Sequence, residues 1–119
     1  VFRAAVQAAA AEQRFVTAFD ASGRAQTVPA GAITDATPDR CSRWYRPDDR
    51  RRSGSRVTPF SGGMAQFTCL AGITATGRGP IQAVVLLTLY TRPGTDAPPR
   101  AHLLPDDPYA RRLLAELRP

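Results

Sequence analysis

Two alternating stretches flanking one glycine pair constrain this chain more than anything else in it. From Ala65 to Ala75 the odd positions are Ala65, Phe67, Cys69, Ala71, Ile73 and Ala75, while the even ones are Gln66, Thr68, Leu70, Gly72 and Thr74. From Ile81 to Leu89 the odd positions are again apolar: Ile81, Ala83, Val85, Leu87 and Leu89. A period of two gathers such residues on one face of a strand. Gly77-Arg78-Gly79 lies between the stretches, and glycine supplies the positive φ that tight turns demand. The reading is a β-hairpin over residues 64–91, with strands at 65–75 and 81–91. Pairing about Arg78 sets Phe67 opposite Leu89, Cys69 opposite Leu87, Ala71 opposite Val85 and Ile73 opposite Ala83, all on one face. Pro80 cannot donate to a ladder and lengthens the loop. Val84 and Leu86 make the second strand apolar on both faces, which predicts a central place in a sheet.

The flanks supply helices. Residues 1–20 read as one helix, with Phe2, Val6, Ala9 and Val16 on a stripe and Phe15 and Phe19 as an i, i+4 pair on a second face. So wide an apolar surface predicts two neighbours or a partner, and Phe2, Val6, Phe15 and Phe19 are its candidate contact residues. Asp20-Ala21-Ser22-Gly23 supplies the stop. Residues 24–63 are punctuated by Pro and Gly and read as an irregular region, with short strands at 25–28 and 56–60. After a proline-rich connection, Asp106-Asp107-Pro108 opens a second helix over 107–118, with Asp capping and Pro in the first turn. Tyr109, Leu113 and Leu117 form its expected face, Leu114 widens it, and Arg118 suits its C-terminal end. With 119 residues, the chain has room for one domain. The expected class is α+β, with helices on one side of an antiparallel sheet.

Charge narrows the functional classes. All 16 basic residues are Arg, and there is no Lys or Asn, a bias expected of a GC-rich genome. That excludes a Schiff-base lysine, a phosphate-loop lysine and an N-glycosylation site. Residues 40–56 hold seven Arg against Asp48 and Asp49, so +5 of the net +6 lies in one stretch. Within it, Arg40, Arg43, Trp44, Tyr45, Arg46, Arg50, Arg51 and Arg52 mix guanidinium groups with aromatic rings. Such a mixture suits a protein partner or an anionic surface such as nucleic acid. The plainer reading is a solvated loop whose Asp48 and Asp49 pair with neighbouring arginines and whose Trp44 and Tyr45 pack on the domain. The longest apolar run is Ala83–Leu87, far below the ~20 residues of a membrane helix.

Cys41 and Cys69 are the two cysteines and His102 is the one histidine. A Cys41–Cys69 bridge would pin the irregular region to the sheet if the chain is exported, and two free thiols are the alternative. Neither metal nor cofactor is expected. Two Cys and one His match no finger spacing, and Gly77-Arg78-Gly79 lacks the third glycine of a dinucleotide fingerprint. His102 reads as a surface or capping residue, with no nucleophile motif beside it.

The layout resembles the soluble domain of a type IV pilin or a type II secretion pseudopilin. The matching parts are the helix Phe2–Phe19, the loop with Cys41, and the hairpin Ala65–Leu89 with Cys69. The resemblance implies a filament subunit or tip protein without enzymatic activity, whose first helix continues upstream into an apolar segment. It departs from the family in lacking a cysteine near the C-terminus and in having a closing helix. The chain begins at Val1 in mid-helix, which fits either an upstream anchor or signal, or simple removal of Met. The sequence leans to an extracytoplasmic setting. The expected function is that of a non-enzymatic structural or assembly subunit acting through protein–protein contacts. A nucleic-acid-binding protein using residues 40–56 is the alternative.

Overall fold

The computed structural model describes residues 1–45, 63–91 and 98–119. Helix α1 (Phe2–Gln13) leads into β1 (Phe15–Phe19) and β2 (Ala25–Pro29), then through a 3-10 turn to β3 (Ile33–Tyr45). Next come β4 (Gly63–Ala75), β5 (Ile81–Thr91), β6 (Arg100–Leu103) and helix α2 (Pro108–Leu117). The six strands form one antiparallel sheet of order β2-β1-β5-β4-β3, with β6 also pairing with β5. The class is α+β, as the sequence implied.

β5 is central. It pairs along its whole length with β4, meets β1 at Gln82, and pairs with β6 over Val85–Thr88. Apolar residues on both of its faces account for that place. The hairpin register differs from the expected one. Phe67 lies opposite Leu87, Cys69 opposite Val85, Ala71 opposite Ala83 and Ile73 opposite Ile81. The slip is two positions, so every side chain keeps its face. The chain turns earlier than pairing about Arg78 supposes, because Gly77 takes φ 78° and the Arg78 amide donates back to the Ala75 carbonyl at 3.2 Å. Gly79 and Pro80 then serve as the approach to β5.

The first helix stops at Gln13, not at residue 20. Phe15, Val16 and Thr17 are aromatic or β-branched and favour a strand. The Asp20–Gly23 segment is therefore the β1–β2 turn, with Gly23 at φ 84°. The irregular region contains a 13-residue strand, β3. Polar residues and Pro38 conceal it in the sequence. An edge position tolerates a proline that donates no ladder bond, and β3 adapts through register shifts at Ile33/Asp35 and Pro38/Arg40. The expected strand at 56–60 lies outside the described residues.

The helices lie on opposite faces of the sheet, not on one side. Val6, Ala9 and Ala10 of α1 pack on Val16, Ala18, Ile73, Ala83, Val85 and Leu103. Ala110, Leu114 and Leu117 of α2 pack with Phe19, Leu70, Val84 and Leu104 on the other face. Fully burying one Val or Leu contributes about 1.5–3 kcal/mol, and the two-sided apolar pattern of β5 supplies partners for both helices. The buried face of α2 is Ala110/Leu114/Leu117, while Tyr109 is 41% exposed and Leu113 is half-buried. Asp107 is the N-cap, its carboxylate accepting from the Ala110 amide at 2.8 Å, with Pro108 in the first turn. Asp106 does not cap; it pairs with Arg111 at 2.6 Å. No helix among the described residues is long and apolar enough to cross a membrane.

Candidate functional site

The arginine-aromatic segment is only partly described. Arg40 is exposed on β3. Arg43, Trp44 and Tyr45 lie at the far end of that strand, opposite Phe67, Gln66 and Ala65 of β4. Arg46, Arg50, Arg51 and Arg52 lie outside the described residues. Cys41 sits directly opposite Cys69 in the β3–β4 ladder, and the two form a disulfide. Cys41 is exposed and Cys69 is 1% exposed. The bridge takes Cys69 out of any role as a free thiol. His102 is exposed on β6, opposite Leu86.

The expected helix interface is not brought together. Val6 is fully buried under α1 and Phe2 is half-buried beside it. Phe15 and Phe19 lie on β1; Phe15 is 57% exposed, whereas Phe19 is 0% exposed in the α2-side core. The four residues divide because the helix ends before Phe15. On α1, Ala4, Ala8 and Ala11 instead face outward at helical spacing. They form a ridge of small side chains. Beside it is a hollow of ≈ 190 Å³ lined by Gln7, Ala10, Ala11, Ala30, Gly31 and Ile33.

A larger cleft of ≈ 540 Å³ opens on the α2 side, above the sheet end next to the β4–β5 turn. Its geometry starts at Gly72 of β4. A Cβ there would lie 3.1 Å from both carboxylate oxygens of Asp39, so the missing side chain lets the Asp39 carboxylate lie across β4. Asp39 Oδ2 thereby accepts from Gln82 Nε2 on β5 at 3.0 Å. Gln82 Oε1 accepts from Arg118 Nε at 2.8 Å. Arg118 Nη2 in turn donates to the Asp20 carbonyl at 2.8 Å. Arg111 extends the same fastening: it grips Asp106 through two nitrogens, donates to the Gly23 carbonyl, and stacks 4.8 Å over the Phe19 ring.

These bonds hold β3, β5, α2 and the β1–β2 turn to one another. Of the charged groups that line the cleft, Asp39 and Arg118 both bond Gln82, and Arg78 bonds the Gln26 side chain; outside its lining, Asp20, Asp106 and Arg111 are engaged as well. Asp20 accepts from the Ser22 hydroxyl and from the Ser22 and Arg24 amides, and these bonds, the hydroxyl's first, hold its pKa below the ordinary aspartate value. The Arg111 guanidinium does the same for Asp106, and Asp106 holds Arg111 above its ordinary value. Among the described residues no three His, Cys, Asp or Glu side chains are grouped to hold a metal.

Sequence reading missed Asp39, Gly72, Gln82, Arg111 and Arg118 as a connected set. They are scattered over four elements and share no spacing. The one visible signal was Gly72, a glycine inside an alternating strand, which marks close approach of another group. No protein-family model, curated protein or solved structure matches the chain significantly.

Proposed function

We propose that the protein is a non-enzymatic assembly subunit that packs against copies of itself through the outward face of α1. The observation that carries this reading is the exposed Ala4/Ala8/Ala11 ridge with the hollow next to it. Small side chains let a second helix approach closely, and an alanine surface loses almost no side-chain entropy when covered. Two further features support it. The helix is fixed to the sheet by its other face, so its outward face is presented rigidly. The charged groups that line the cleft, Asp39, Arg78 and Arg118, are each held by a glutamine side chain, Gln82 or Gln26, which leaves little for turnover chemistry. A pilin-like subunit would use its first helix in this way, and that likeness remains part of the proposal.

Sedimentation over a concentration series, with the wild type beside Ala8→Arg, tests the reading. Association of the wild type that Ala8→Arg abolishes, with unchanged circular dichroism, is the expected result. A wild type that stays monomeric at the highest attainable concentration refutes it. Binding of single- or double-stranded nucleic acid that weakens steeply with salt would place the arginine-rich segment first instead.

A further inference from the structure

We infer that the Cys41–Cys69 disulfide is a redox-operated fastening that holds the outer half of β3 to the sheet, with a hinge at the bulge between Pro38 and Arg40. Three observations combine. First, β3 is anchored unevenly. Ile33 and Ala36 are buried in the α1-side core, whereas Thr37, Pro38, Asp39, Arg40, Cys41 and Ser42 are all exposed. Six consecutive exposed residues in a paired strand leave the ladder to hold the segment with little apolar packing. Second, the ladder itself is interrupted. The register shifts between Pro38 and Arg40, and Pro38 has no amide hydrogen to give. At the break itself, Asp39 accepts a hydrogen bond from Gln82 at 3.0 Å and fixes the inner side of the hinge. Third, the first strong attachment after the break is covalent, the bridge from Cys41 to Cys69 on β4.

The two cysteines differ in exposure. Cys69 is 1% exposed in the sheet and Cys41 is exposed at its edge. A dithiol reductant is thus directed to Cys41. Its thiolate attacks Cys41 Sγ, a mixed disulfide forms, and the electron pair of the broken S–S bond leaves on Cys69 as thiolate, which takes up a proton. The second thiol of the reductant, as thiolate, then attacks the sulfur bound to Cys41. The reductant leaves as its cyclic disulfide and Cys41 leaves as thiolate, two electrons having passed to the protein. With the bridge open, residues 40–42, whose side chains are exposed, stay attached through strand pairing at a sheet edge, where local opening costs least. Residues 33–36 keep their buried anchors.

Hydrogen exchange with mass spectrometry on the native protein, with and without dithiothreitol, tests this. The expected result is a gain of two daltons at native pH, with exchange over residues 40–45 accelerated about tenfold or more and exchange over 33–36 and 73–75 unchanged. The Cys41→Ala/Cys69→Ala double variant, which needs no reductant, is expected to show the same local pattern. Refractoriness to dithiothreitol in the folded state overturns the inference. So does equal protection of 40–45 in both forms. Loss of protection throughout the sheet overturns it as well, because the bridge would then be a staple of the whole fold.

Discussion

At Arg14 the main chain passes from helix to strand without a glycine. Its φ is 70°, a region that side chains with a Cβ rarely enter, and it is held there by two bonds. The Arg14 amide donates to the Ala10 carbonyl at 2.8 Å, and the Ala30 amide donates to the Arg14 carbonyl at 2.8 Å. Relief of that strain by Arg14→Gly outweighs the added freedom of the unfolded chain, so the variant is expected to be more stable by about 0.5–1 kcal/mol in urea unfolding. A loss of stability would show that the conformation is unstrained. Gly72 poses the opposite question. An added methyl favours the strand by about 0.5–1 kcal/mol but meets the Asp39 carboxylate at 3.1 Å, which must give by a few tenths of an ångström against its hydrogen bond to Gln82. Gly72→Ala should therefore stabilise an Asp39→Ala background more than the wild type, a coupling that a double-mutant cycle reads directly. Asp20 and Asp106 both titrate below their ordinary value in the folded chain. The unfolded chain thus binds their protons at higher pH than the folded one. Their stabilisation is complete above the unfolded aspartate value of about 3.9 and is lost as pH falls through the folded values. Asp106→Asn is expected to flatten the acid limb of the stability profile and leave its slope above pH 5 unchanged.

Local signals governed what the sequence made legible among the elements. The hairpin was visible because alternation and turn chemistry agree, and a two-residue slip preserves alternation. The same pattern therefore settled the face and left the register open. The start of α2 was visible because capping is local: Asp107 and Pro108 are sequence neighbours of the amides they serve. Replacing Asp107 by Ala leaves the Ala110 amide without its acceptor and is expected to cost about 1 kcal/mol, while Asp106→Ala removes an exposed pair and costs less. Reversal of that order in thermal unfolding would contradict the capping assignment. The end of α1 was not visible, because the alanine run and Phe15-Val16-Thr17 satisfy both helix and strand patterns over a short window. Contact with β2 settles it, through pairs such as Val16 with Val28. β3 was hidden for a related reason. Its partner, β4, begins 18 residues after Tyr45, and an edge strand with one anchored half shows no clean alternation. Of the candidate site, the bridge between Cys41 and Cys69 was legible as one of two alternatives, while the Asp39–Gln82–Arg118 set was not, because hydrogen bonds between four elements leave no trace in spacing.

At the scale of the molecule, the described residues form a single sheet with a different kind of cover on each side. On the α1 side almost half of the buried residues are alanines, Ala9, Ala10, Ala18, Ala71 and Ala83 among them, and the outward Ala4, Ala8 and Ala11 of the helix are exposed. On the α2 side the residues are larger, Phe19, Leu70, Leu104 and Leu114, and Arg111 and Arg118 fasten the helix to the β1–β2 turn. Gln13 ties α1 to the sheet edge in a comparable way. Its side-chain amide donates to the Leu103 carbonyl at 3.1 Å and accepts from the Leu103 amide at 3.2 Å, occupying β6 as an added strand would. Both covers rest on β5, whose Val85 faces α1 while Val84 faces α2. Neither helix can detach without exposing one side of the same central strand, so the described elements should unfold as one cooperative unit. Val6→Ala on one side and Leu114→Ala on the other test this. Truncation of the buried valine is expected to cost about 1–3 kcal/mol and of the leucine about 2–5 kcal/mol. The sheet separates the two positions and they share no neighbours, so the double variant should lose the sum to within about 0.5 kcal/mol. Each variant should also show one midpoint, whether unfolding is followed by far-ultraviolet circular dichroism or by amide exchange. Separate midpoints for α1 and α2 would mean that the sheet does not transmit the loss of one cover to the other.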